Sequence, residues 1–138
     1  MPLVLLAILT ACSRQLGYPE APRSGQDISV DISALQPGIP QYFSYSLKEM
    51  KIHFFVVKMD DRVISFLDAC TKCYPQKKGF SFDNGSVICR ACDERYPISE
   101  IEKGFGSCYP IKIEGRTKDG RYLISAAELE RTGTKFFR

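Results

Sequence analysis

Two Cys-x-x-Cys pairs constrain this chain more than any other feature. Cys70-Thr71-Lys72-Cys73 and Cys89-Arg90-Ala91-Cys92 are separated by fifteen residues. Two residues between cysteines let a tight turn aim both sulfurs at one point while backbone amides face them. Two such turns on neighbouring loops make a four-thiolate pocket, at the short edge of the spacing seen for zinc sites. Tetrahedral sulfur coordination suits Zn²⁺, and also iron or an iron–sulfur cluster. The pattern predicts a metal centre at Cys70, Cys73, Cys89 and Cys92 and leaves the metal open. Covalent haem needs a His after the second Cys, and Tyr74 and Asp93 stand there. A thioredoxin-like motif needs a βαβ frame, which the chain lacks. Disulfides, within or between the pairs, remain the alternative.

Cys108 follows Cys92 by sixteen residues, inside Gly104-Phe105-Gly106-Ser107-Cys108-Tyr109-Pro110. Glycines let the backbone come close to something compact. Four readings stand for Cys108: a fifth ligand, an exchanging ligand, a redox thiol, or a small buried residue.

The sixth cysteine, Cys12, closes an uncharged apolar run, Leu3 to Ala11. Such a run is too short to span a bilayer, which takes about 20 residues, but it fits the apolar core of a secretory signal. Leu9-Thr10-Ala11-Cys12 resembles the bacterial lipobox, in which cleavage precedes a cysteine that becomes lipidated. The basic residues that open such signals do not precede the run, so Met1 is expected to lie inside a longer signal. Residues 1–11 are therefore expected to be a truncated lipoprotein signal. Residues 12–26, rich in Pro, Gly, Ser and polar side chains, are expected to be the lipidated Cys12 and a flexible tether. This places the domain at the cell membrane, facing the periplasm or cell exterior, where disulfides are permitted. Five cysteines remain after Cys12, an odd number that cannot all pair within the chain.

Residues 27–138 form one domain on length. The 138-residue chain is 44% hydrophobic and 25% charged, which excludes disorder, and its net charge of +3 argues against nucleic acid as a partner. With a single His and no Trp, a multi-histidine site is excluded. No paired-carboxylate or nucleophile–base pattern is present, so no catalytic residue is predicted. His53 sits in an apolar run and is expected to be a core or cross-strand residue. Asp68, two residues before Cys70, is either an ordinary loop acid or a hydrogen-bonding support for the site.

Strand signals fill the rest. Residues 28–33 and 41–47 alternate apolar and polar. Lys51 to Lys58 is β-branched and aromatic, as for a strand buried on both faces. Asp60-Asp61 predicts a hairpin to Arg62–Leu67, and Asp83-Asn84-Gly85 a second between Phe80–Phe82 and Ser86–Ile88. Lys118-Asp119-Gly120 predicts a third, between Pro110–Gly115 and Arg121–Ser125. A helical turn is expected at Ser99–Lys103. A short C-terminal helix should start at a Ser125…Glu128 capping box and stop by Gly133. The fold class is mostly β: a small antiparallel β-barrel or sandwich with two Cys-x-x-Cys loops.

Several of these segments together resemble the membrane iron–sulfur FtrD-like family. They are Phe66-Leu67-Asp68-Ala69-Cys70, Cys73-Tyr74, Lys78-Gly79-Phe80, Cys89-x-x-Cys92 and Gly106-Ser107-Cys108-Tyr109-Pro110-Ile111. The family order is Asp-x-Cys-x-x-Cys-Tyr, Lys-Gly-Tyr, Cys-x-x-Cys, then Gly-Gly-Cys-Asn-Pro-x-Pro-Leu. The resemblance takes in all five cysteines after Cys12. This chain departs from it at Phe80, Ser107, Tyr109 and Ile111-Lys112-Ile113. The resemblance implies an iron–sulfur cluster, and the cysteine spacing also allows a single iron or zinc ion. It also implies membrane partners of the iron-permease or redox type. A looser likeness to Rieske domains lies in the order of hairpins and ligand loops. Cys73 and Cys92 stand where Rieske centres carry histidines, so a true Rieske centre is excluded. The expected function is electron transfer or metal handling linked to iron uptake. The alternatives are a disulfide-stapled binding module of a membrane complex and a thiol-redox protein using Cys108.

Overall fold

The computed structural model describes residues 17–137. The expected signal and Cys12 lie outside them. Eleven strands and one α-helix follow in order. They are β1 (Arg23–Ser24), β2 (Asp27–Asp31), β3 (Gln41–Leu47), β4 (Met50–Lys58), β5 (Val63–Cys70), β6 (Phe80–Asp83), β7 (Ser86–Cys89), β8 (Arg95–Pro97), β9 (Pro110–Ile113), β10 (Arg116–Lys118), β11 (Arg121–Ser125) and α1 (Ala126–Gly133).

They make three antiparallel sheets, ordered β3-β4-β5-β9, β1-β2-β11-β10 and β6-β7-β8. The expected mostly-β, sandwich-like architecture is present. No sheet closes on itself, so the barrel form is not. The reason is in β4: residues i and i+2 share a face, and here both faces are apolar. Phe54 and Val56 enter one core with Ile28, Phe43, Leu67, Ile124 and Leu129. Phe55 and Val57 enter a second with Phe66, Phe80, Val87 and Tyr96. A sheet wetted on neither face must be covered twice. The β2 sheet and α1 cover one side, and the small β6-β7-β8 sheet covers the other.

The hairpins at Asp60-Asp61 and Asn84-Gly85 form as expected, with Asn84 in the left-handed region at φ 46°. The third hairpin turns at Lys118-Asp119-Gly120 but joins β10 to β11. Its expected first arm is split. Residues Pro110–Ile113 pair with β5 instead, and the chain changes sheets at Glu114-Gly115. Alternation alone could not reveal that switch, because Ile113 is buried in either arrangement.

Two further differences bear on the site. β5 continues past Leu67 through Asp68 to Cys70, so Asp68 is a strand residue. The expected tether also does not extend to residue 26. From Tyr18 onward it packs on the domain: the Ala21 amide donates to Ser44 at 2.8 Å, the Ser44 amide donates to Pro19 at 2.8 Å, and β1 pairs with β2. Polar composition hid this, because backbone hydrogen bonds to a sheet edge need no apolar side chains. At the other end, Ser125 Oγ accepts from the Glu128 amide at 3.1 Å, as the capping pattern predicts. Glu128 turns to Glu114, Arg131 and Thr132. The expected turn at Ser99–Lys103 appears as a 3₁₀ turn at Ile98–Glu100.

Candidate metal centre

Cys70 ends β5 and Cys89 ends β7, so two strands from different sheets deliver the first cysteine of each pair to one place. Each loop then turns back. Cys70 Sγ faces the amides of Lys72 and Cys73, and Cys89 Sγ faces those of Ala91 and Cys92. This is the arrangement the two-residue spacing predicts. The loop after Cys92 contributes the Glu94 amide to Cys92.

Cys108 is brought into the same cluster. Its sulfur lies 3.7 Å from Cys70 Sγ and 3.7 Å from Cys92 Sγ. The sulfurs of Cys70, Cys73 and Cys89 lie within 4.8 Å of one another, as do those of Cys89, Cys92 and Cys108. The Cys108 loop is tied to the first pair by Thr71. Its amide donates to Tyr109 O at 3.1 Å and its hydroxyl to Ser107 O at 2.5 Å. Gly104, at φ 65°, makes the turn possible: a Cβ there would lie 2.2 Å from Cys108 O. None of the five cysteines is in a disulfide.

The five thiols are not equivalent. Burial pushes Cys70 up, but the Cys73 and Lys72 amides, with Cys108, outweigh it and leave the thiol below its ordinary value. Burial likewise raises Cys92, and the Glu94 amide with neighbouring thiols brings it below. Cys73 is pushed up to about 12 by burial and by the charges of Cys70 and Cys89. Burial also raises Cys89 and, more strongly, Cys108. Crowded thiolates repel, so this cluster ionises fully only against a cation. Cys92 alone of the five is exposed.

A second network braces the site. Asp68, buried at the end of β5, accepts from Tyr18 Oη at 2.6 Å and from the Phe80 amide at 2.7 Å. Burial holds its carboxyl above the ordinary range. Gly79, at φ 67°, passes so close that a Cβ would lie 2.5 Å from the carboxylate. Arg90, inside the second cysteine pair, donates to Tyr18 Oη at 3.4 Å and Lys78 O at 3.2 Å. Of the two readings for Asp68, the structure takes the supporting one. His53 lies on β4, half buried and stacked on Tyr18 with ring centroids 4.1 Å apart, on the same network but not among the sulfurs. Sequence reasoning missed Tyr18, Arg90 and Tyr96. Tyr18 fell in an apparent tether, and β8 has only three residues, too few for a periodic signal.

The donor set fits a thiophilic metal or an iron–sulfur cluster. The two separations of 3.7 Å, from Cys108 to Cys70 and to Cys92, match the edge of a tetrahedron with metal–sulfur bonds of about 2.3 Å, so Cys108 is placed as a donor beside the paired cysteines. The amides already face the sulfurs, and the donors are all soft. Fold and site thus define a β-rich domain with an all-cysteine cluster that could hold a metal ion. The profile of the family described as "Membrane iron-sulfur containing protein FtrD-like" matches residues 35–137. The chain belongs to that family. A search of curated proteins finds no match. Among the described residues, no helix is long and apolar enough to cross a membrane.

Proposed function

We propose that this chain is a lipid-anchored, extracytoplasmic iron–sulfur protein that passes electrons in a membrane system handling iron. The observation that carries the reading is the gathering of five thiols into two overlapping groups that share Cys89, in a member of an iron–sulfur family. When bound, the cluster supplies one-electron transfer. Cys70, Cys73, Cys89 and Cys92 hold it, as their paired spacing favours, and Cys108 is a fifth donor within reach of Cys70 and Cys92. The amides of Lys72, Cys73, Ala91, Cys92 and Glu94 face the sulfurs and offset their negative charge. They favour the reduced form. Cys92 is the exposed edge, where an electron enters or leaves. A lipid on Cys12 holds the domain at the membrane, beside a redox or iron-permease partner.

The thiol-redox alternative is the weaker one. A reactive cysteine needs a lowered pKa and access, whereas Cys108 is buried and its thiol is pushed up. The test is an optical redox titration of anaerobically purified protein. The reading expects visible absorption that bleaches on reduction and returns on reoxidation. A metal-loaded protein with no redox-active visible band would sink electron transfer.

A further inference from the structure

Among the described residues, two buried side-chain polar atoms have no hydrogen-bond partner: Arg90 Nη2 and Tyr96 Oη. The Arg90 guanidinium reaches other acceptors through Nη1. Tyr96 has only one polar side-chain atom, and it has no partner within the protein. Buried hydroxyls are rarely left so, and each such case calls for a missing partner.

The register says where that partner sits. Tyr96 pairs with Val87 across β7 and β8, so both side chains lie on one face. Cys89 is two residues beyond Val87 and lies on that face too. Tyr96 is therefore a diagonal neighbour of Cys89, within reach of a long aromatic side chain. It is 5% exposed and packs in the same cluster as Cys70, Cys73, Cys89 and Cys108. Burial raises its hydroxyl first, and the charges of Cys108, Cys70, Cys89 and Cys92 raise it further. The four sulfurs act on it through their charge, and none of them is its hydrogen-bond partner.

We infer that Tyr96 is a positioning residue whose hydroxyl donates a hydrogen bond to a sulfur of the metal-loaded centre and thereby tunes it. The inference rests on the metal reading of the cluster but not on the metal being iron. A donor on a thiolate or sulfide withdraws electron density from the metal, which lowers the energy of the sulfur lone pair and favours the reduced metal.

The test uses the full chain with Tyr96→Phe, which keeps the ring and removes the oxygen. Tyr42→Phe is the control: it loses a partly buried hydroxyl bonded to Phe80 O, not to sulfur. Both are loaded with Co²⁺ and the sulfur-to-metal charge-transfer band is recorded. Tyr96→Phe should shift the band to lower energy at unchanged Co²⁺ stoichiometry, and Tyr42→Phe should leave it in place. In iron-loaded protein the same variant should lower the midpoint potential. A band unmoved in Tyr96→Phe overturns the inference. Should that variant not fold, 3-fluorotyrosine at position 96, a stronger donor of nearly the same shape, must move the band to higher energy, and no movement overturns it equally. Wild-type protein that purifies with zinc and no iron would defeat the iron–sulfur reading while leaving the Co²⁺ result intact.

Discussion

Asp68 ties the N-terminal segment and β6 to the end of β5, next to the cluster. Its carboxylate accepts the Tyr18 hydroxyl and the Phe80 amide. Removing a buried acceptor strands its donors, at about 1–3 kcal/mol each. Asp68→Ala should therefore lower the urea midpoint markedly, and Tyr18→Phe, which removes one bond, should lower it less. Equal effects would contradict the network. His53 gives a pH prediction. Burial, and after it the Lys51 charge, holds its imidazole below the ordinary value. Protons thus bind the unfolded chain more readily. The contribution is fully present above about 6.5 and is lost as pH falls through the lower folded value. His53 is the only histidine, so its proton resonance gives that value directly, and His53→Gln should flatten stability in that window. The cysteine pairs were legible at this scale because their spacing is their chemistry. Tyr18 and Tyr96 were not, because nothing in a tyrosine's sequence neighbours says which distant acceptor its hydroxyl will meet.

Among elements, the N-terminal segment and the Cys108 loop matter most. The segment from Tyr18 to β1 was hidden by its composition, yet it closes the Asp68 network and stacks on His53. Deleting residues 17–24 should destabilise the domain and raise the His53 value toward that of a free imidazole. The Cys108 loop depends on Gly104. A side chain there meets Cys108 O and must hold a left-handed backbone, a strain of about 1–3 kcal/mol. Gly104→Ala should lower metal occupancy while far-UV circular dichroism keeps its β signature. Full occupancy would mean that holding the metal does not depend on Cys108 and its turn. The strand signals in β3 and β4 were clear because long alternating or doubly apolar runs have one physical solution. The change of sheets after β9 was not, because it depends on which edge is free in three dimensions.

At the scale of the whole molecule, two cores flank one central sheet, and the cysteine cluster is part of the smaller. That core holds the thiols of Cys70, Cys73, Cys89 and Cys108, with the exposed Cys92 at its edge. On the proposed metal-bound reading, coordination contributes of order 10 kcal/mol to the cohesion of such a small thiolate core. Chelation under reducing conditions should lower the melting temperature by many degrees, whereas a disulfide-stapled module would respond to reductant and not to chelator. The mostly-β class was visible in sequence, and so was the gathering of the cysteines. The three-sheet arrangement was not, since sandwich and barrel share the same strand alternation and differ only in whether the last edge closes. The central claim is tested most directly by measuring iron, zinc and acid-labile sulfide on anaerobically purified full-length protein. Iron and sulfide in near-equal amounts, lost together when Cys70 and Cys89 are both changed to Ser, is the predicted result. Zinc alone, or metal-free protein with its cysteines oxidised in pairs, would contradict it.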